Sequence, residues 1–197
     1  FAMIIRENGR EIVNNPLILE NGRYRMDFNH MQEAVHGCRM FILCNPHNPG
    51  GRVWSPEELR RVAEICTANG TLVVSDEIHA DLTLPGRRHT VFATVSEQAR
   101  MNSVTYMAPS KTFNLPGFRT AAFIAANPVL KNAVHDMVVN NKAIGENICG
   151  TIAFYTSYEQ CDYYADQLVA YLEKNRDLVE QTLKDVPEIE VTHAEGT

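Results

Sequence analysis

The sequence predicts an α/β fold with a mainly parallel sheet and helices on both faces. Three short apolar runs, at 39–45, 71–77 and 103–110, have the length of buried strands, and a fourth run follows at 119–127. Helical patterns separate these runs, and strands that are apolar on both faces are typical of parallel sheets covered by helices.

The clearest helix is predicted over 55–70. Ser55 is its expected N-cap, Pro56 takes the first helical position, and Glu58 can complete a capping box. Asn69 and Gly70 supply the stop signal. A shorter helix is expected from Asn29, as N-cap with Gln32 three residues on, to Gly37.

A long helical pattern from 159 to 184 suggests a second unit. We therefore expect a large domain at 1–158 and, at 159–197, a long helix that begins a small domain. The last ten residues read as an apparent strand. Because the chain begins abruptly at Phe1 and ends on that strand, it is expected to be a piece of a longer polypeptide.

Composition excludes several classes of protein. A net charge of −6, with 45% hydrophobic and 21% charged residues, does not favour nucleic-acid binding. The five cysteines form no CxxC pair, so no metal site is expected, and unpaired thiols favour a reducing cytoplasm. Cys44 and Cys66 lie in runs that read as core. No run of about 18 apolar residues is present, so neither a membrane span nor a membrane partner is expected.

Three polar loops follow the predicted strands: NPHNPGG at 45–51, SDEIHADL at 75–82 and APSKTFN at 108–114. Because ligands of open α/β sheets bind at the carboxyl ends of strands, these loops are expected to converge. The glycine loops GxGxxG and GxxxxGK are absent, which disfavours a flavodoxin-like nucleotide binder.

Lys111 and Asp76 carry the predicted chemistry. Lys111 follows an apolar strand and is expected to be partly desolvated, a setting that makes an amine a nucleophile toward carbonyl carbon. Asp76 lies at the end of a buried strand and needs a cationic partner. Residue types alone leave open a second interpretation, in which Lys111 only closes a buried ion pair with Asp76.

The three loops, in this order and at these separations, resemble those of pyridoxal-phosphate enzymes of fold type I, aminotransferase classes I and II. The resemblance covers essentially the whole chain. Within that group the sequence is most similar to the MalY/PatB-type cystathionine β-lyase branch. It implies the large domain of the aspartate-aminotransferase fold, pyridoxal 5'-phosphate as cofactor, and a homodimer in the full-length enzyme.

The resemblance also implies roles for individual residues. Lys111 would bind the cofactor aldehyde covalently and move the proton of the substrate Cα, and Asp76 would face the pyridine nitrogen. Asn48, in an Asn48–Pro49 bond that is a candidate for the cis form, would contact the phenolic oxygen, and His79 would stand where aminotransferases carry a tyrosine.

Two further residues are implied to neutralise the cofactor phosphate, Ser110 and Arg119. Arg119 comes eight residues after the lysine, as the family pattern requires, and a guanidinium suits a phosphate. Ala108 departs from the pattern, because relatives commonly carry a phosphate-binding serine there. The alternative interpretation of Arg119 is a structural one, a salt bridge at the start of a strand.

The expected activity is carbon–sulfur β-elimination from cystathionine-like amino acids. The alternative is amino-group transfer to a 2-oxo acid, since Lys111 can serve either route. A non-catalytic sensor module built on the same fold is a third hypothesis, although no helix-turn-helix segment is visible.

Overall fold

The computed structural model describes residues 1–141 and 147–197. The helices are α1 Ala2–Glu7, α2 Phe28–Ala34, α3 Pro56–Ala68, α4 Glu97–Met101, α5 Pro128–Asn140, α6 Ile148–Gln160 and α7 Asp162–Leu183. The strands are β1 Ile18–Glu20, β2 Arg23–Arg25, β3 Met40–Cys44, β4 Leu72–Asp76, β5 Ser103–Met107 and β6 Ala122–Ile124. No helix in this part of the chain is both long and apolar enough to cross a bilayer.

The main sheet has the strand order β3-β4-β5-β6. β3 and β5 both run parallel to β4, whereas β6 is antiparallel to β5. The predicted α/β fold is confirmed, and the sheet is mixed because only a loop with a short 3-10 turn joins β5 to β6. Without a crossover helix, the chain returns antiparallel.

Helix α3 packs on the sheet as its sequence predicts. Ser55 and Glu58 form the capping box, with Pro56 in the first turn. Gly70 follows the C-cap with a positive φ of 64°, a conformation that suits glycine. The buried face joins the main core, whose members on this helix are Leu59, Val62, Ala63, Ile65 and Cys66. Burial raises the pKa of the Cys66 thiol to about 12, so this cysteine is a core residue, as expected.

Three local predictions are wrong. The N-cap of α2 is Asp27 rather than Asn29, because the Asp27 carboxylate, on an extended backbone, accepts the hydrogen bond of the His30 amide. The long pattern at 159–184 is divided at Cys161, where α6 ends and α7 begins. The expected terminal strand is reduced to a single bridge between Thr83 and Gly196, because the residues before it form no continuous ladder with another strand in the described ranges 1–141 and 147–197.

The division into 1–158 and 159–197 stays a prediction.

Candidate active site

The predicted loops converge at the carboxyl ends of β3, β4 and β5. The parallel register places Cys44 level with Asp76, and Asp76 level with Tyr106. From the first two loops, the side chains of Asn48 and His79 meet, with Asn48 Nδ2 at 3.2 Å from His79 Nε2. The sheet therefore brings distant polar residues together at one edge.

The loop that carries Asn48 is closed by its own hydrogen bonds. The His47 amide donates to the Arg52 carbonyl at 2.8 Å, and the Gly50 amide donates to His47 Nδ1 at 3.2 Å. A Cβ at Gly50 would lie 2.6 Å from that ring nitrogen, so glycine is required for this approach. The Asn48–Pro49 bond is cis, as expected, and so is Asn45–Pro46, which was not predicted.

Asp76 is a half-buried carboxylate that forms no ion pair with another described residue. Its Oδ1 accepts the Ile78 amide at 3.2 Å, and burial raises its pKa although that hydrogen bond opposes the shift. In residues 1–141 and 147–197, no lysine, arginine or histidine nitrogen lies within salt-bridge distance of it. The buried ion pair with Lys111 is therefore absent, and that interpretation is wrong.

The neighbouring Glu77 is, by contrast, fully engaged. It is buried and accepts hydrogen bonds from the Ser75 hydroxyl at 2.8 Å and the Phe92 amide at 2.9 Å. His89 Nε2 lies 2.7 Å from its other oxygen. Glu77 ties the following loop to β4, which leaves Asp76 as the carboxylate available to a ligand.

His79 is 9% exposed, and its environment keeps the ring neutral. Burial lowers the pKa of the imidazole, the positive charge of Lys111 lowers it further, and Asp76 opposes both. In the part of the chain that the structure describes, His79 Nδ1 is buried without a hydrogen-bond partner. An unsatisfied buried nitrogen of this kind is unfavourable unless a ligand or water pairs with it.

Lys111 lies in the turn after β5, close enough for its charge to act on His79. Its side chain is exposed, so the expected desolvation is wrong for this chain. The next residue, Thr112, is buried and donates to Asp81 at 3.1 Å, which fixes the lysine turn to the loop after β4.

Ser110 and Arg119 are not joined to these groups. Ser110 is half-buried beside Lys111, and its carbonyl accepts the Leu115 amide at 3.0 Å. Arg119 is exposed and has a left-handed backbone with φ 49°. Among the described residues, no side-chain hydrogen bond or ion pair connects either of them to Asn48, Asp76 or His79. Their expected role stays a prediction.

Sequence reasoning placed Cys44 in the core, but it borders the site. Its sulfur accepts the Asn48 amide at 3.4 Å, and burial raises its pKa, so the group is a thiol rather than a thiolate. Its position as the last residue of a strand was the available signal. A cluster around Glu195 and Arg52 behind the Asn48 loop was also missed. No pattern local to either residue indicates that pairing.

The fold and this site together define a large domain of the aminotransferase type. The chain belongs to the aminotransferase class I and II family, whose family model matches residues 1–197. It is 38% identical over 194 residues to the cystathionine beta-lyase PatB of Bacillus subtilis (strain 168). The aligned region covers 97% of this chain and 50% of PatB.

Two crystal structures show the same architecture. Cystalysin from Treponema denticola, which contains a pyridoxal 5'-phosphate cofactor, has a TM-score of 0.93 and 32% identity, and the match covers 100% of this chain and 51% of cystalysin. The C-S lyase from Staphylococcus hominis, with pyridoxal phosphate bound, has a TM-score of 0.93 and 30% identity, covering 100% of this chain and 50% of that lyase. The chain thus spans about half the length of the relatives it matches.

Proposed function

We propose that the whole protein is a pyridoxal-phosphate-dependent carbon–sulfur β-lyase. It cleaves L-cystathionine, or related cysteine S-conjugates, to a thiol, pyruvate and ammonia. The observation that carries the proposal is the half-buried Asp76 carboxylate, which forms no ion pair within the described residues and lies near His79, the partner of Asn48. The charge of Lys111 acts on the same histidine. The named lyases among the relatives support the choice of reaction.

The residues present fit the cofactor. Asp76 offers an unpaired negative charge for the protonated pyridine nitrogen, and burial strengthens that attraction. Asn48 and His79 offer polar atoms to the phenolic oxygen, and the unpartnered His79 Nδ1 is a second group that a bound molecule can satisfy. When bound, pyridoxal phosphate supplies an electron sink for a carbanion at the substrate Cα.

The side chains of this chain would bind the cofactor and move the substrate proton. Lys111 would bind the cofactor aldehyde and could take and return the proton of the substrate Cα. Asp76 would keep the ring nitrogen protonated, and the neutral His79 would add no positive charge to compete for Asp76. Ser110 and Arg119 would bind the phosphate, for which the hydroxyl and the exposed guanidinium are suited.

Aminotransfer is the second candidate function. The family itself includes aminotransferases, and a lysine that moves the proton of the substrate Cα can serve either fate of the deprotonated substrate. A sensor that binds the cofactor without turnover is the third. We further propose that the whole protein is a cytoplasmic homodimer, and that residues 1–158 and 159–197 belong to its large and small domains.

The test uses the full-length protein with L-cystathionine. Release of free thiol and pyruvate supports the lyase, whereas amine exchange that depends on a 2-oxo acid, without thiol, establishes the aminotransferase. A sensor binds cofactor and does neither. Borohydride reduction and peptide mass mapping should place the pyridoxyl group on Lys111, and a tag elsewhere, or none, contradicts the proposal. Lys131→Ala is the matched control for Lys111→Ala, because Lys131 is an exposed lysine of α5.

A further inference from the structure

Residues 195–197, which we call the clasp, lie between the two loops that carry Asn48 and His79. On one side the Glu195 amide donates to the Gly51 carbonyl at 2.7 Å. On the other side the Leu84 amide donates to the Glu195 carbonyl, and the Thr197 amide donates to the Leu82 carbonyl, each at 2.9 Å. The clasp is therefore hydrogen-bonded to both loops.

The fit is close enough to require glycine on both surfaces. A Cβ at Gly51 would lie 3.0 Å from Ala194, just before the clasp, and one at Gly196 would lie 2.8 Å from the Leu82 carbonyl oxygen. Gly51 also has a positive φ of 63°. The contact is thus backbone against backbone, with no room for adjustment by side chains.

The Glu195 carboxylate is 1% exposed and accepts three hydrogen bonds. One oxygen accepts Arg52 Nη1 at 3.0 Å and the Val53 amide at 3.0 Å, and the other accepts Arg23 and forms an ion pair with Arg87 at 2.9 Å. Removing a carboxylate from water costs several kcal/mol unless such donors replace it. Through its amide and its carboxylate, Glu195 therefore contacts three consecutive residues: the Gly51 carbonyl, the Arg52 guanidinium and the Val53 amide.

Arg52 connects Glu195 to the loop that contains Asn48. Its guanidinium is buried and also donates to the Tyr24 carbonyl at 2.7 Å and to Glu58 at 3.1 Å. Its carbonyl accepts the His47 amide, which closes the loop containing Asn48. In the other loop, the Leu82 amide donates to the His79 carbonyl at 3.0 Å.

We propose that Glu195 is a positioning residue, which sets the geometry of the Asn48–His79 pair by holding the two loops at a fixed separation. The proposal rests on the proposed function only in that this pair contacts the cofactor. Loss of Glu195 frees the Arg52 side of the loop, so Asn48 and His79 no longer stay within hydrogen-bond distance.

The experiment compares Glu195→Gln with two controls in the full-length protein. Val62→Ala removes core methyl groups of α3, away from the clasp, and serves as the variant of comparable destabilisation. Arg87→Met removes a half-exposed cation that pairs with the same carboxylate, and leaves the residues of the Asn48 loop unchanged. Three measurements are made: amide hydrogen exchange of cofactor-free protein, pyridoxal phosphate affinity, and the pH midpoint of the bound cofactor's absorbance.

For Glu195→Gln we expect about tenfold faster exchange at residues 47–53 and about tenfold weaker cofactor binding, the size of effect when a charged hydrogen bond is lost. The absorbance midpoint should also move, because Asn48 and His79 contact the phenolic oxygen. Val62→Ala and Arg87→Met should leave the midpoint unchanged.

Equal exchange at 47–53 in Glu195→Gln and Val62→Ala, or an unmoved midpoint in Glu195→Gln, overturns the positioning role. Wild-type protein that binds no pyridoxal phosphate contradicts the proposed function instead. In that case the exchange measurement on cofactor-free protein still tests whether Glu195 positions the Asn48 loop.

Discussion

Two adjacent carboxylates at the end of β4 have opposite surroundings, and this contrast carries the assignment of the site. Glu77 has a donor for each oxygen, whereas Asp76 accepts, from the residues that the structure describes, only the Ile78 amide, and burial raises its pKa. A carboxylate kept half-buried without a cation costs stability. That cost is reasonable where a ligand supplies the missing charge.

Asp76→Asn tests whether Asp76 is unfavourable for stability but required for activity. The asparagine oxygen can still accept the Ile78 amide, so the free energy of unfolding of cofactor-free protein should stay within about 1 kcal/mol or rise. Lyase activity of the full-length protein should fall on the order of 10²-fold, because a preorganised charge is lost. Denaturant melts and pyruvate release measure the two effects. A variant that unfolds more easily yet keeps full activity would contradict the assignment.

His79 predicts a pH dependence of stability. Because burial and Lys111 lower its pKa below the usual 6.5, the unfolded chain binds a proton that the folded chain does not. The free energy of unfolding should therefore fall as pH drops below about 6.5, by at most about 1.4 kcal/mol per pH unit from this group. Urea melts of cofactor-free protein at about pH 7.5 and about pH 5.5 measure it.

The comparison needs a second histidine. Other groups titrate in every variant, so the informative quantity is the change in slope. His79→Gln should flatten the dependence, whereas His135→Gln, at an exposed position of α5, should leave it as in the wild type. Identical slopes for the two variants would show that His79 is not held neutral.

At the scale of elements, α3 links the core to the Asn48 loop through Glu58. This residue accepts the Ser55 amide at 2.8 Å in the capping box, and it also accepts the buried Arg52 guanidinium. A helix cap alone is worth about 1 kcal/mol, but a buried cation that loses a partner costs more. The start of α3 thus stabilises both its own helix and the loop before it.

Glu58→Ala should therefore lower the free energy of unfolding by about 2–4 kcal/mol, against about 1 kcal/mol for Ser55→Ala. Glu57→Ala is the matched control, because Glu57 is an exposed neighbour in the same turn and should leave the free energy of unfolding close to that of the wild type. Chemical denaturation at neutral pH makes the comparison. Equal losses for Glu58→Ala and Ser55→Ala would mean that the contact with Arg52 adds nothing.

Elements with strong local signals were predictable, and those set by distant contacts were not. Helix α3 carries its cap, first proline and stop within one segment, and the loops with Asn48, Asp76 and Lys111 follow strands directly. The antiparallel direction of β6 depends on its connection to β5, which no local pattern encodes. Glu195 meets Arg52 across 143 residues, so its role was visible only in the folded chain.

At the scale of the whole molecule, the chain exposes more surface than a compact protein of its mass. Its accessible area is 12450 Å², whereas a monomer of 22.2 kDa is expected to expose about 9,400 Å². The surplus of about 3,000 Å² exceeds a standard protein–protein interface of about 1,600 Å². Part of it is a stripe on one face of α6, formed by Ile148, Ile152 and Tyr155, which are 72%, 61% and 62% exposed. Apolar stripes of this kind are normally covered.

The last prediction concerns what covers the α6 stripe. Cys149 is exposed beside Ile148, whereas Cys66 is buried in the core. The reaction of a thiol depends on its access to reagent. If further chain or a second copy lies against α6 in the full-length protein, Cys149 should be labelled at least about tenfold more slowly there than in the 197-residue chain. Cys66 is the internal control and should resist labelling in both until they unfold. Mass spectrometry of labelled peptides separates the two sites.

Dilution of the full-length protein distinguishes a second copy from the same polypeptide as the group that covers α6. Protection by a second copy is lost at low concentration, and protection by the same polypeptide is not. Equal labelling of Cys149 in the short and long chains would mean that the stripe faces water in both, and that the surplus surface is covered elsewhere.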